Sequence, residues 1–222
     1  MARKTQRPDL TLGELHALAQ AQPGRYRALY TTGTNLTRQR TQVFSYETHP
    51  DMRVADAVRI SMSIPLYFRA VLLDADDHVI TGKPRPGQPV RVVVDGGLLA
   101  NYPLHLFDQP RYLPAGLPPG TTTNPETLGL RRDRDEQIAL DTGRPGLAPY
   151  AIHDFSSYIG ALYTVALENL NPTQPADWPR TISSNTLGFA PKIKRISAAQ
   201  KQQLMASGRA GGQAFFRINE EE

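Results

Sequence analysis

The stretch that most constrains the fold is Val90–Gly97, where a run of β-branched residues ends in one carboxylate and two glycines. Its valines predict a strand that is buried on both faces, as in a parallel sheet covered by helices. Asp95 then falls at the carboxyl end of that strand, where α/β proteins bind ligands. Gly96 and Gly97 allow a sharp turn or a close backbone approach. The alternative is a plain strand-ending turn, because Asp-Gly is a common turn dipeptide.

Composition excludes several classes of protein. The chain has 222 residues, of which 40% are hydrophobic and 21% charged, enough for a globular domain with a hydrophobic core. It contains no cysteine, so neither a disulfide framework nor a zinc ribbon is expected. The net charge of +4 is spread over basic residues interleaved with acidic ones, which does not indicate nucleic-acid binding.

The sequence shows neither a targeting segment nor the spacing of a metal-binding motif. No stretch has the length of a transmembrane helix, and the basic segment Met1–Arg7 is not followed by the apolar core of a secretory signal. We therefore expect a cytoplasmic or peripheral membrane protein. The five histidines lack the spacing of metal ligands, so we expect no metal; they are His16, His49, His78, His105 and His153. The sequence has no phosphate loop and no dinucleotide fingerprint, so we expect no cofactor.

The first half of the chain predicts short strands and two helices. Thr11 and Glu14 have the spacing of a capping box, which predicts a helix to about Gln22. A second helix opens at Pro50-Asp51 and ends before Pro65. A polar turn is expected at Gly33–Asn35, and three further segments predict strands: Arg27–Thr32, Gln42–Glu47 and Leu66–Leu73.

The second half predicts two more strands and longer helices. Apolar residues recur at helical spacing from Ile152 to Leu170, and we expect this stripe to face the core. A capping box at Ser197 and Gln200 begins a last helix, which runs toward Phe216. The remaining segments predict a short helix, a long loop and two strands: Leu104–Phe107, Asp108–Pro125, Thr127–Leu130 and Arg180–Ser184.

The serines do not supply an obvious nucleophile. None lies in a Gly-x-Ser-x-Gly elbow, the tight turn that presents an activated hydroxyl. Ser61 and Ser63 lie near a helix end and Pro65, but hydroxyls that cap the chain and line a cleft are the favoured interpretation. The residues thus offer one candidate catalytic carboxylate, Asp95, and no candidate nucleophile.

Two longer strings together resemble the later half of a patatin-like phospholipase domain. They are Val54–Pro65 and Asp95–Leu104, and three shorter strings follow the family in the same order: Thr34–Leu36, Val43–Ser45 and Thr127–Leu130. The resemblance implies a three-layer α/β fold, with a central, mostly parallel sheet flanked by helices. The family's glycine-rich loop and nucleophile elbow precede the matched region. We therefore expect a single partial domain over residues 1–222, with a core of about 10–217 and the N-terminal part missing.

The resemblance also implies a function, the hydrolysis of fatty-acyl esters by a Ser-Asp dyad. Asp95 matches the family's base, and the nucleophilic serine is expected outside this chain, which alone should be inactive. The implied substrate is a membrane lipid or another acyl ester, and association with the missing half is possible. We expect Gly96, Gly97 and Asn101 to support the loop after Asp95, and four residues to help wall the acyl site: Ile64, Pro65, Leu66 and Phe68. The alternative is an inactive fragment that acts as a lipid- or protein-binding module.

Overall fold

The computed structural model describes residues 7–141, 147–169, 175–189 and 195–218. The chain divides into two compact units, residues 1–101 and residues 102–222. This division does not test the predicted single domain over residues 1–222, which stays a prediction.

The first unit is built on a four-stranded sheet in the order β2-β1-β4-β3. Every pairing within it is antiparallel, and β4 lies between β1 and β3. The β1–β2 pairing is a hairpin closed by four residues, which makes its direction antiparallel. The strands are β1 (Thr31–Asn35), β2 (Arg40–Phe44), β3 (Val71–Leu73) and β4 (Arg91–Asp95).

The mixed α/β class is confirmed, but the direction of β4 differs from the prediction. The strand that ends at Asp95 pairs antiparallel with both neighbours rather than parallel. Val93 and Val94 are buried, as their β-branched run predicts. A continuous apolar run indicates that both faces of a strand are covered. It does not predict whether the neighbouring strands are parallel or antiparallel to it.

Two helices complete the first unit. Helix α1 (Leu12–Ala21) begins with the predicted capping box, in which Glu14 N–H donates to Thr11 Oγ1 at 3.2 Å and Thr11 N–H donates to Glu14 Oε2 at 2.9 Å. Helix α2 (Val54–Ser61) turns one apolar face inward. The core joins side chains from both helices and the sheet, among them Leu12, Leu15, Phe44, Ala57, Ile60, Leu73 and Val93.

Strand boundaries in this unit depart from the prediction. Gly33–Asn35 is not a polar turn but the buried end of β1. A Cβ on Gly33 would lie within 3.0 Å of side-chain atoms of Ile60, Phe44 and Val93. The lack of a side chain at Gly33 therefore makes room for the core. Of the predicted strand Leu66–Leu73, only Val71–Leu73 pairs; residues 65–68 form a turn.

The second unit contains a parallel pair of strands, β5 and β6, in register from Gly129 opposite Thr181 to Asp133 opposite Asn185. The final helix begins at the predicted capping box, with Gln200 N–H donating to Ser197 Oγ. The main elements are β5 (Gly129–Asp133), α3 (Asp135–Asp141), α4 (Phe155–Asn169), β6 (Thr181–Asn185) and α5 (Ala198–Ile218), with 3-10 helices at Leu104–Asp108, Pro110–Tyr112 and Pro175–Arg180.

Helix α4 forms where its periodicity predicts, but its stripe is not core within this unit. Phe155 is 77% exposed, and Ile152, Ile159 and Leu162 are about half exposed, whereas Ala161 is buried. The remaining members of the predicted stripe lie outside the described side chains; they are Tyr163, Ala166, Leu167 and Leu170. Periodicity identifies the apolar face of a helix and does not say what covers it.

Candidate active site

Asp95 lies where β4 ends and the chain turns into a short 3-10 helix (Gly96–Leu98). In the sheet it stands opposite Gly33 on β1. Its backbone N–H donates to the carbonyl oxygen of Ser63 at 3.0 Å, just beyond α2. The backbone of Asp95 is thus fixed by the sheet on one side and by the end of a helix on the other.

Gly96 is required by a close approach to β1. A Cβ at this position would lie 2.2 Å from Thr32 Oγ1 and 2.5 Å from the Thr32 carbonyl oxygen. No side chain fits at these distances, since one of the contacts is backbone. The glycine therefore allows the chain after Asp95 to pass directly over β1.

The carboxylate of Asp95 is half-buried, and its surroundings make it a better base. Burial raises the pKa of Asp95 above its ordinary value, and the hydrogen bond from Gly97 N–H to Oδ1, at 2.8 Å, opposes that rise. A carboxylate with a raised pKa binds a proton more readily than an exposed one. The group remains able to accept a proton through its second oxygen, as a general base must.

Gly97 places two polar side chains beside each other. A Cβ on Gly97 would lie 3.1 Å from Asn101 Oδ1 and 3.3 Å from Asp95 Oδ1. The turn thus brings the predicted supporting residue Asn101 to the same glycine as the carboxylate. The Gly96 carbonyl accepts from Leu99 and Ala100 N–H, which closes this turn.

Ser63 is buried, and its hydroxyl already has a hydrogen-bond acceptor. Its hydroxyl donates to the Arg59 carbonyl at 2.6 Å and so satisfies the end of α2. This is the capping role predicted for it. The structure places Ser63 next to Asp95 through its carbonyl oxygen, not through its hydroxyl.

The four residues predicted to wall an acyl site are divided. Ile64 and Pro65 are half-buried, whereas Leu66 is fully exposed and Phe68 is 43% exposed. Ile64 follows Ser63, whose carbonyl oxygen accepts the backbone N–H of Asp95, and the other three lie further along the chain. Their role in binding an acyl chain stays a prediction.

A polar cluster in the first unit lies away from these residues. His49 Nε2 lies 3.5 Å from Asp77 Oδ2, and Arg91 donates to Asp77 Oδ1 at 2.5 Å. Burial lowers the pKa of His49, while Asp77 opposes that effect. A cavity of about 400 Å³ is lined by His49 and Asp77 among others, but not by Asp95. His49 also packs on the core residue Phe44, at 4.7 Å between ring centres.

One group in the described part of the chain could hold a cation. Single ligand atoms of Asp74, Asp76 and His78 lie within 4.8 Å of one another. Asp74 Oδ1 accepts from the N–H groups of Asp76 and His78, which accounts for the cluster as a turn. Sequence spacing alone did not indicate it.

Sequence reasoning also missed a buried ionic network in the second unit. Arg180 donates two hydrogen bonds of 2.6 Å to the carboxylate of Asp108 and one of 3.2 Å to Asp177. His105 places one ring nitrogen 3.0 Å from Asp108 and the other 3.2 Å from Asp177. Asp108 and Arg180 are 72 residues apart, and no motif links them.

The fold and this strand-end carboxylate define an α/β protein with a candidate general base. Residues 3–108 match the family model of the patatin-like phospholipases. The crystal structure of VipD from Legionella pneumophila has a similar fold, with a TM-score of 0.51 and 16% sequence identity. That match covers 94% of this chain and 35% of VipD.

Two curated relatives match shorter parts. The uncharacterized protein YqhO of Bacillus subtilis (strain 168) is 41% identical over 70 residues, and the uncharacterized protein R571 of Acanthamoeba polyphaga mimivirus is 37% identical over 75 residues. These matches cover 31% and 34% of this chain and span only 20% of the length of each relative. Within the described residues, no helix combines the length and apolarity of a membrane span.

Proposed function

We propose that this chain carries the base of a lipid acyl hydrolase that works by a Ser-Asp dyad, with Asp95 as that base. The observation that carries the proposal is the setting of Asp95. It stands at a strand end, it is fixed through Ser63 and Gly97, and burial raises its pKa. It also lies in the segment that matches the family.

In the proposed reaction, Asp95 accepts the proton of a serine hydroxyl as the serine oxygen attacks the ester carbonyl. The tetrahedral intermediate then expels the alcohol, which takes the proton from Asp95, and an acyl-serine remains. Water attacks the acyl-serine while Asp95 again accepts a proton. Collapse of the second intermediate releases the fatty acid and returns the proton to the serine.

We further propose that the serine lies outside these 222 residues. The sequence contains no Gly-x-Ser-x-Gly elbow, and the hydroxyl of Ser63 is committed to Arg59. By itself, the chain should therefore not hydrolyse esters. The serine would be supplied by an associated segment that carries the elbow.

A second candidate function is a lipid- or protein-binding module without catalysis. The observation that favours it is the group of exposed apolar side chains next to Ser63, which includes Leu66 and Tyr67. Exposed apolar groups of this kind mark binding surfaces. This function requires the surface and not the carboxylate.

The test compares hydrolysis of a short-chain nitrophenyl ester by this chain and by a form extended upstream through the nearest serine elbow. We expect activity only in the extended form, and a fall in kcat of about 10²–10⁴-fold on Asp95→Asn. The matched control is Asp76→Asn, which removes an exposed carboxylate from the same unit and should leave the rate unchanged. A folded but inert extended form, or full activity in Asp95→Asn, would contradict the dyad and favour the binding module.

A further inference from the structure

Helix α2 is apolar on two sides, and only one of them is needed by the core. Val54, Ala57 and Ile60 are buried in the first unit. On the other side, Val58 is 42% exposed and Met62 is 53% exposed. Met62 N–H donates to the Val58 carbonyl, so these two residues stand one turn apart on the exposed side.

The turn that follows α2 adds three larger apolar side chains. Leu66 is fully exposed, and Tyr67 and Phe68 are 69% and 43% exposed. Tyr67 and Phe68 N–H both donate to the Ile64 carbonyl, so the turn is closed by its own backbone. Leu66 has a φ of 69°, a conformation that a leucine rarely adopts. An apolar side chain is thus held in water at a backbone cost.

The charge of this segment is of one sign. Between Ala57 and Leu73 the sequence contains no acidic residue, while Arg59 and Arg69 are both exposed. We name this group the 58–69 surface; it consists of Val58, Arg59, Met62, Leu66, Tyr67, Phe68 and Arg69. Apolar side chains beside exposed guanidinium groups match the interface of an anionic lipid layer, where acyl chains and phosphates lie close together.

The segment that carries the 58–69 surface is hydrogen-bonded to the backbone of the candidate base. Ser63 lies between Met62 and Ile64 in the chain, and its carbonyl oxygen accepts the N–H of Asp95 at 3.0 Å.

We propose that the 58–69 surface docks the protein onto anionic lipid, an inference that rests on the proposed lipid substrate. Its apolar side chains expose roughly 600 Å², taking about 150–250 Å² for a large side chain. Stable protein–protein interfaces cover about 800 Å² on each partner. The surface is thus small for a stable dimer, and its uniform positive charge repels a second copy of itself. A lipid layer needs neither a matching shape nor a minimum area.

The experiment measures cosedimentation of the 222-residue chain with vesicles, which does not depend on hydrolysis. The probes are vesicles of phosphatidylcholine alone and vesicles that also contain phosphatidylglycerol. We expect tighter binding to the anionic vesicles, weakened by salt. Leu66→Asn with Phe68→Ser should weaken that binding at least about 10-fold, because two large side chains no longer leave water. Arg59→Gln with Arg69→Gln should remove the preference for anionic lipid.

Matched controls make the same chemical changes elsewhere. Leu130→Asn with Phe155→Ser removes an exposed leucine and phenylalanine from the second unit, and Arg38→Gln with Arg85→Gln removes two exposed arginines from the first. These variants should bind as the parent does. All the substituted side chains are exposed, and circular dichroism checks that each variant is folded.

Three results would overturn the inference: equal binding by parent and by Leu66→Asn with Phe68→Ser, equal binding to both kinds of vesicle, or loss of binding only in the second-unit controls. A dimer in size-exclusion chromatography that Leu66→Asn with Phe68→Ser dissociates would instead assign the surface to a second copy. The dyad is tested separately, because Asp95→Asn should lose hydrolysis in the extended form and keep vesicle binding.

Discussion

The backbone N–H of Asp95 donates to the carbonyl oxygen of Ser63 across 3.0 Å. This bond joins the two stretches that stand out in the sequence, the strand that ends in a carboxylate and the helix that ends before Pro65. The candidate base is therefore held through its backbone by the end of α2. Its carboxylate accepts a hydrogen bond from Gly97 N–H. In the proposed reaction the same carboxylate accepts the proton of the serine hydroxyl.

Substitution of the two glycines after Asp95 should have unequal effects. Gly96→Ala places a methyl group against the Thr32 backbone, whereas Gly97→Ala meets only the side chains of Asn101 and Asp95 at 3.1 and 3.3 Å. We expect Gly96→Ala to lower the free energy of unfolding by about 1–3 kcal/mol or more, and Gly97→Ala to lower it by less. Urea denaturation measures both. Equal losses would show that the contact with Thr32 does not limit this turn.

Removal of the Asp95 charge should stabilise the fold near neutral pH. Burial raises the pKa of Asp95 in the folded state, so ionisation costs stability as pH rises through that pKa. Asp95→Asn avoids this cost, and its amide oxygen can still accept from Gly97 N–H.

We expect Asp95→Asn to raise Tm at pH 7, where the parent carries the charge and the variant does not. The difference should vanish below the ordinary aspartate pKa, where both proteins are neutral at this position. Thermal unfolding between pH 3 and pH 8 measures it, and Asp76→Asn is the control. A variant that is less stable than the parent at pH 7 would contradict the raised pKa.

Loss of the Arg180 charge should destabilise the second unit more than a change in the shape of its side chain. Arg180→Ala leaves the carboxylates of Asp108 and Asp177 buried without their guanidinium, and we expect a loss of about 3–5 kcal/mol. Arg180→Lys keeps the charge but not the two parallel hydrogen bonds, so its loss should be smaller. The single tryptophan, Trp178, lies two residues from Arg180 and reports unfolding by fluorescence.

The same network predicts a response to acid. Burial raises the pKa of Asp108, but hydrogen bonds from Arg180 and Asn124 outweigh it and lower the pKa to about 2. The stability that Asp108 contributes is therefore present above its ordinary pKa and is lost as pH falls toward 2. Arg180→Ala should lose this acid dependence, and unchanged acid dependence would assign it to other carboxylates.

Leu66 should show opposite effects on stability and on binding. Because its φ is 69° and its side chain packs on nothing, Leu66→Gly should raise the free energy of unfolding by about 1 kcal/mol. The matched control is Leu130→Gly, an exposed leucine in a regular strand, which should destabilise the protein by about 0.5–1 kcal/mol. The same Leu66→Gly protein should bind anionic vesicles less tightly. Gains at both leucines would contradict a special strain at Leu66.

Local patterns predicted much of the fold because they act over a few residues. The capping boxes at Thr11 and Ser197 form as predicted, since each needs only side chains three residues apart. The buried run that ends at Asp95 is a strand, because β-branched residues favour extended backbone. The turn predicted at Gly33–Asn35 was wrong, because Gly33 lies in a strand and leaves room for the side chains of Ile60 and Phe44.

The sequence by itself identified Asp95 as the candidate base and gave the two glycines that follow it, because these depend on residue type and order. Only the tertiary structure decided the antiparallel direction of β4, the exposure of the α4 stripe, and the pairing of Asp108 with Arg180. It also decided the raised pKa of Asp95 and its bond to Ser63. Each of these depends on groups far apart in the chain, whose distance and solvent access no local pattern records.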